Sequence, residues 1–215
     1  MESGFASVIL DVDSTLTGIE GIDWLAEYRG ADTGARVTEL TDRAMRGEIA
    51  LDAVYGERLA LVQPDRAAID ALANAYLASV ARGAADAIAR LHAEGRRVVL
   101  VSGGLREAIL PIAGSLGIAP HDVHAVSIRF DEEGVYAGYD IASPLATAGG
   151  KRIIAESLEL PRRVLAVGDG ATDLAMRPAV DAFAAFIGFV KRGPVVEKAD
   201  IILESFDQLV ELVLA

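Results

Sequence analysis

Short apolar runs recur along this 215-residue chain, and each stops at small or acidic residues. They fall at residues 8–10, 97–101, 164–167, 182–187 and 201–203. Between the later runs, apolar residues recur at helical spacing over 84–93, 105–116, 151–160 and 172–180. Strands alternating with helices admit few architectures. Near-continuous apolar runs predict strands buried on both sides, in a mostly parallel sheet with helices on each face. Ligands in such sheets sit outside the carboxyl ends of the strands. Asp11, Ser102 and Asp169 each follow a run at that end.

Spacing adds a second module. A strand–helix–strand unit takes about thirty residues, yet residues 14–101 separate Asp13 from Ser102. The excess reads as helices over 20–28, 33–46, 51–62 and 65–82. The expected fold is α/β: a Rossmann-like parallel sheet core with an inserted helical-bundle cap over the end of the first strand. The core takes 1–16 and 83–215, and the cap, which would set substrate specificity, takes 17–82. SIRF-DEEG-VYAGY, within 123–139, predicts a small β-hairpin flap turning at Glu133-Gly134.

Charge narrows the partners. Acidic residues outnumber basic ones, 32 to 20, for a formal charge of −12. Such a chain repels nucleic acid and anionic membranes unless a basic patch intervenes. The pairs Arg96-Arg97, Arg162-Arg163 and Lys191-Arg192 are isolated and read as solvated strand starts. No apolar run approaches the roughly 18–20 residues of a membrane span. MESGFASVILDVDST lacks the basic start and long apolar stretch of a secretory signal. The chain has no cysteine, which excludes disulfides, thiolate catalysis and cysteine-ligated zinc. The expectation is a cytoplasmic protein, monomer or homodimer, with a small-molecule substrate and neither nucleic acid nor membrane as partner.

Four local patterns carry chemistry. VILDVDSTLTG ends a strand in Asp11 and Asp13. Either could serve only as a turn or helix cap, but two carboxylates so close repel each other. Ser102-Gly103-Gly104 closes RVVLV and opens the helix LREAIL, where backbone N–H groups suit an anion. Lys151 follows Gly149-Gly150 at a helix start, against the helix dipole, as a cation facing an anion would. GDGATD sets Asp169 between two glycines, with Asp173 in the next helical turn. Four carboxylates at one mouth would resist ionisation. A hard divalent cation removes the conflict, and oxygen ligands without His or Cys select Mg²⁺. Other motifs fail: Arg152 stands where the phosphate loop needs Ser or Thr, and neither GxSxG nor HExxH is present. His121 and His124 read as structural residues in a loop.

In order and combination, DVDST, Ser102, Lys151 and GDGATD resemble the four motifs of the haloacid dehalogenase superfamily of phosphotransferases. The second aspartate is that of its phosphatase branch. EGIDWLA at 20–26, RAMRGEI at 43–49, ERLALVQP at 57–64, VSGG, YAGYD, TAGGK and IGF are similar to the enzymes that hydrolyse O-phospho-L-serine. The resemblance spans about residues 8–205. It implies Asp11 as nucleophile and Asp13 as general acid, then base. It implies Mg²⁺ on the Asp11 carboxylate, the Asp13 backbone carbonyl and Asp169. Ser102, the Gly103 and Gly104 amides, Lys151 and Thr172 would take the phosphate, with Asp173 supporting the metal and lysine. Glu20 would take the substrate ammonium and Arg58 its carboxylate, with Met45 closing over it. Arg46 and Val190-Lys191 depart from the glycines common in relatives and bear on cap closure.

The residues support Arg58 separately. It falls on the apolar stripe of LDAVYGERLALV with Leu51, Val54, Tyr55, Leu59 and Val62, where a charge needs a partner. That partner is Glu20 or Glu57, or a substrate carboxylate. Phosphohomoserine or phosphothreonine as substrate stays open, because one methylene discriminates by only about 1–3 kcal/mol. So does a phosphotransferase. A signalling receiver keeping its phospho-aspartate is disfavoured by the cap and by an acid at Asp13.

Overall fold

The strands form where residues can be buried on both sides of the chain. The computed structural model describes residues 4–45, 49 and 51–215. From β1 (Ser7–Leu10) the chain passes through α1 (Gly21–Arg29), α2 (Ala31–Met45), α3 (Leu51–Val62), α4 (Arg66–Ala78) and α5 (Ala84–Ala93). β2 (Arg97–Leu105) and α6 (Arg106–Ser115) lead to β3 (Val123–Val126) and a hairpin of β4 (Ile128–Phe130) and β5 (Tyr136–Tyr139). Then follow α7 (Gly150–Ser157), β6 (Val164–Gly168), α8 (Ala171–Leu174) and β7 (Ala182–Phe186). α9 (Gly193–Val196), β8 (Ile201–Leu203) and α10 (Phe206–Leu214) complete the chain.

Six strands form one parallel sheet in the order β3-β2-β1-β6-β7-β8, and β4-β5 stands apart as an antiparallel pair. Side chains alternate between two cores. Val8, Leu10, Leu165 and Val167 pack on one face with Ile88, Ile109 and Val213. Ile9, Val164 and Ala166 pack on the other with Ala155, Met176 and Phe183. This period of two is the strand pleat read out as burial. Beyond β1, chain order runs outward to β3 on one side and from β6 to β8 on the other. β1 and β6 therefore border the point where the winding reverses, and a crevice opens past their carboxyl ends.

The helical segments α1–α4 enter and leave side by side. Thr17 and Val80 form an antiparallel bridge, Gly18 N–H donates to the Ser79 carbonyl (3.1 Å) and Ala81 N–H to that of Leu16 (2.9 Å). This pairing ends α4 at Ala78, short of the helix expected over 65–82. The expected 151–160 helix stops at Ser157 because Leu158 turns extended. That over 172–180 is one turn, and Pro178 starts a separate turn at Arg177–Ala179. β2 continues past Val101 to Leu105, which pairs with Val126 of β3. His124 thus lies on an edge strand, and its loop assignment is corrected. Among the described residues no helix is long and apolar enough to cross a membrane.

Leu100 is fully buried on β2 opposite Leu10. Leu100→Ala is expected to lower the unfolding free energy by about 2–5 kcal/mol, read as a lower urea midpoint at unchanged slope.

Candidate active site

β1 is buried along its length, so the chain leaving it delivers polar groups at the rim rather than inside the sheet. Asp11 is extended, and Asp13 and Ser14 turn the chain back, Ser14 with a left-handed φ of 52°. A cavity of about 400 Å³ opens there. Asp11, Asp13, Glu20, Arg58, Ser102, Gly103, Lys151, Asp169, Thr172 and Asp173 all line it. Gly104 borders it, since a Cβ placed there would stand 3.1 Å from Ser102 Oγ and 3.2 Å from Asp13 Oδ2. The Met45 side chain and Arg46 lie outside the described residues.

Lys151 joins three elements. From the first turn of α7 its Nζ stands 2.5 Å from Asp11 Oδ1 and 2.7 Å from Asp173 Oδ1, with all three residues buried. Asp173 Oδ2 also accepts the Gly170 N–H (2.9 Å). Gly168 makes room for this carboxylate, because a Cβ there would meet the Asp173 carboxyl carbon at 2.2 Å. β2 stays extended through Ser102-Gly103-Gly104, and α6 starts only at Arg106. The glycine amides thus belong to a strand end, not a helix start, which corrects the expected local structure. Pairing with β3 at Leu105 keeps the chain extended. Gly104 N–H donates to Ser102 Oγ (2.9 Å), and Tyr55 of α3 donates its hydroxyl to the Gly103 carbonyl (2.9 Å).

Burial dominates the electrostatics of these acids, with their mutual repulsion second for Asp11 and Asp13. Burial, then the Asp173 charge, pushes Asp11 well above the usual carboxylate range against the pull of Lys151. Burial and Glu20 push Asp13 up to about 7, opposed by the Tyr76 hydroxyl, which donates to its Oδ1 at 2.6 Å. Burial also raises Asp169, and Arg192 opposes that. For Lys151, burial disfavours the charge, but Asp11 and Asp173 outweigh it and hold the ammonium above its usual range. An acid near neutrality suits proton transfer at physiological pH.

The donor set fits a divalent cation. Asp11, Asp169 and Asp173 each offer a carboxylate oxygen, and these lie within 4.8 Å of one another. Asp11 is buried, and its Oδ1 meets the Lys151 ammonium. Oxygen-only, anionic and buried ligands are what a hard cation requires. The cluster brings in Asp173, which the sequence argument had assigned to support.

Two partners were missed in the sequence. Arg192 Nε donates to Asp169 Oδ2 at 2.7 Å and its Nη2 lies 3.3 Å from Glu20 Oε1. Reading Lys191-Arg192 as a solvated strand start is therefore wrong for Arg192, which lines the cavity. Only its position after the run at 182–187 could have marked it. Arg58 pairs with Asp23 Oδ1 at 2.7 Å rather than with Glu20 or Glu57. Asp23 lies in the first turn of α1, a place no periodicity in α3 could specify. Arg58 Nε stays buried without a partner among the described residues, and Glu20 accepts the Ser14 hydroxyl at 2.7 Å.

The model of the haloacid dehalogenase-like hydrolase family matches residues 8–178. The phosphoserine phosphatase of Homo sapiens is 36% identical over 207 residues, covering 94% of this chain and 91% of the relative. The chloroplastic phosphoserine phosphatase of Arabidopsis thaliana is 33% identical over 209 residues, 95% of this chain and 70% of the relative. A phosphoserine phosphohydrolase-like protein from Francisella tularensis superposes with a TM-score of 0.83 at 24% identity, over 96% of this chain and 99% of its own. That likeness shows the fold. With the sequence relatives and the family model, it supports one conclusion: the chain belongs to the haloacid dehalogenase-like hydrolases, in the branch of the phosphoserine phosphatases.

Proposed function

We propose that this protein is a Mg²⁺-dependent phosphatase that hydrolyses O-phospho-L-serine to L-serine and phosphate, the last step of serine biosynthesis. The observation that carries this reading is the convergence of Asp11, Asp13, Lys151 and Asp169 on one cavity that Glu20 and Arg58 also line. That pairing supplies an anion for the substrate ammonium and a cation for its carboxylate. The buried Arg58 Nε without a partner supports the second contact. Residues 17–82 act as the cap, opening for exchange and closing to exclude water. With no helix able to cross a membrane among the described residues, a cytoplasmic site of action is part of the proposal.

The Asp11 carboxylate attacks phosphorus in line, and an aspartyl-phosphate forms as the bond to the serine oxygen breaks. Asp13 gives its proton to that oxygen, then takes a proton from the water that hydrolyses the intermediate. Ser102, the Gly103 and Gly104 amides, Thr172 and Lys151 hold the phosphoryl oxygens. Mg²⁺, bound by the Asp11 carboxylate, the Asp13 backbone carbonyl and Asp169, with Asp173 in support, would offset charge on the transferring group.

Asp11→Asn is expected to abolish phosphate release; appreciable turnover by that variant would remove it as nucleophile. Arg58→Ala should raise KM for phosphoserine at least about tenfold, roughly the weight of one charged contact. It should leave KM for an aryl phosphate nearly unchanged, and equal losses on both would make Arg58 structural. Chelation should silence the enzyme. Without substrate, Mg²⁺ should raise the Tm of the wild type by mass action and leave that of Asp169→Asn unmoved; equal shifts in both would place the ion elsewhere.

A further inference from the structure

Asp13 is gripped from the helical insertion. Tyr76, fully buried in the last turn of α4, donates its hydroxyl to Asp13 Oδ1 at 2.6 Å. The Gly21 N–H, at the start of α1, donates to the same oxygen at 3.2 Å. Among the described residues both hydrogen bonds to this carboxyl group fall on Oδ1. The other oxygen turns toward the Ser102-Gly104 side, where a Cβ on Gly104 would stand 3.2 Å from Oδ2. The approach of Tyr76 depends on the glycine at 21. A Cβ there would lie 2.1 Å from the phenol oxygen, so any other residue drives the hydroxyl away from Asp13.

We propose that Tyr76 is a positioning residue for Asp13: its hydroxyl, with the Gly21 amide, pins Oδ1 and leaves Oδ2 as the oxygen that moves the proton. This rests on the phosphatase reading above and adds a residue to it. Two donors on one oxygen fix the rotation of the carboxyl group, which a single bond would leave free. In the first step the proton on Oδ2 passes to the serine oxygen as its bond to phosphorus breaks and the bond from Asp11 forms. In the second, water attacks phosphorus, the bond to Asp11 breaks, and the proton from water goes to Oδ2. Because α1 and α4 are the first and last helices of the insertion, the acid is aimed by both its ends. Nothing in the motif DVDST calls for a tyrosine at position 76, so the contact is a property of this fold.

Tyr76→Phe removes one oxygen and keeps the ring in the core. With phosphoserine, kcat is expected to fall about 10- to 100-fold, less than the roughly 100- to 10,000-fold that a whole acid–base group contributes, and KM to stay within about twofold. p-Nitrophenyl phosphate separates the steps, because its leaving group needs no proton. Its first-turnover burst should keep the wild-type rate, while steady turnover, limited by the base-assisted second step, falls. Gly21→Ala should give the same pattern, and it carries the test if Tyr76→Phe does not fold. A burst slowed as much as turnover, or a phosphoserine kcat unchanged in a folded variant, would overturn the assignment of Tyr76. Wild-type protein inactive on phosphoserine would instead overturn the phosphatase reading, and the Tyr76 assignment with it.

Discussion

One buried ammonium holds this mouth together. Lys151 Nζ contacts both Asp11 and Asp173, so a single cation ties the end of β1, α7 and α8 together. A lone buried charge would be costly, as would either carboxylate without it. Their mutual contact is what allows all three to be buried. The balance is still unequal. Asp11, Asp13, Asp169, Asp173 and Glu20 face the cavity, and Lys151 and Arg192 are the cations set directly among them. That deficit of positive charge is the physical reason the cluster suits a divalent ion. The dianionic phosphoryl group adds to it on arrival.

The helical insertion reaches the same mouth with four different kinds of contact. Tyr55 touches the Gly103 carbonyl, Arg58 lines the cavity, Glu20 meets Ser14 and Arg192, and Tyr76 meets Asp13. Tyr55 and Arg58 come from α3, Tyr76 from α4, and Glu20 from the residue just before α1. A shift of these helices against the sheet would therefore alter the surroundings of Gly103, Ser14 and Asp13 together. An isolated antiparallel bridge between Thr17 and Val80 joins the two ends of the insertion.

Much of the site was legible because its residues lie where short-range patterns put them. Asp11, Ser102 and Asp169 follow apolar runs, and the rim of a parallel sheet is the one place such residues can gather. Lys151 was legible through its conflict with a helix dipole. Arg192 was not, since its partners Asp169 and Glu20 are distant in sequence and Lys191-Arg192 reads like any solvated basic pair. Asp23 escaped for a similar reason. It sits on the turn of α1 that packs against α3, and packing of two helices is not written in the periodicity of either. The one-turn α8 was overread because apolar residues continue past it, while Pro178 forbids the helix. β3 was underread because an edge strand carries polar residues such as His124.

The sequence alone determined the alternation of buried strands and helices, the insertion after the first strand, and the acids and lysine of the four motifs. Those follow from local polarity, from chain length and from glycine at tight positions, all of which act over a few residues. Tertiary structure decided which charges meet: Arg192 with Asp169, Arg58 with Asp23, Tyr76 with Asp13. The physical reason is that a hydrogen bond is satisfied within about 3 Å in space, whatever the separation along the chain, and only the packed fold sets those distances.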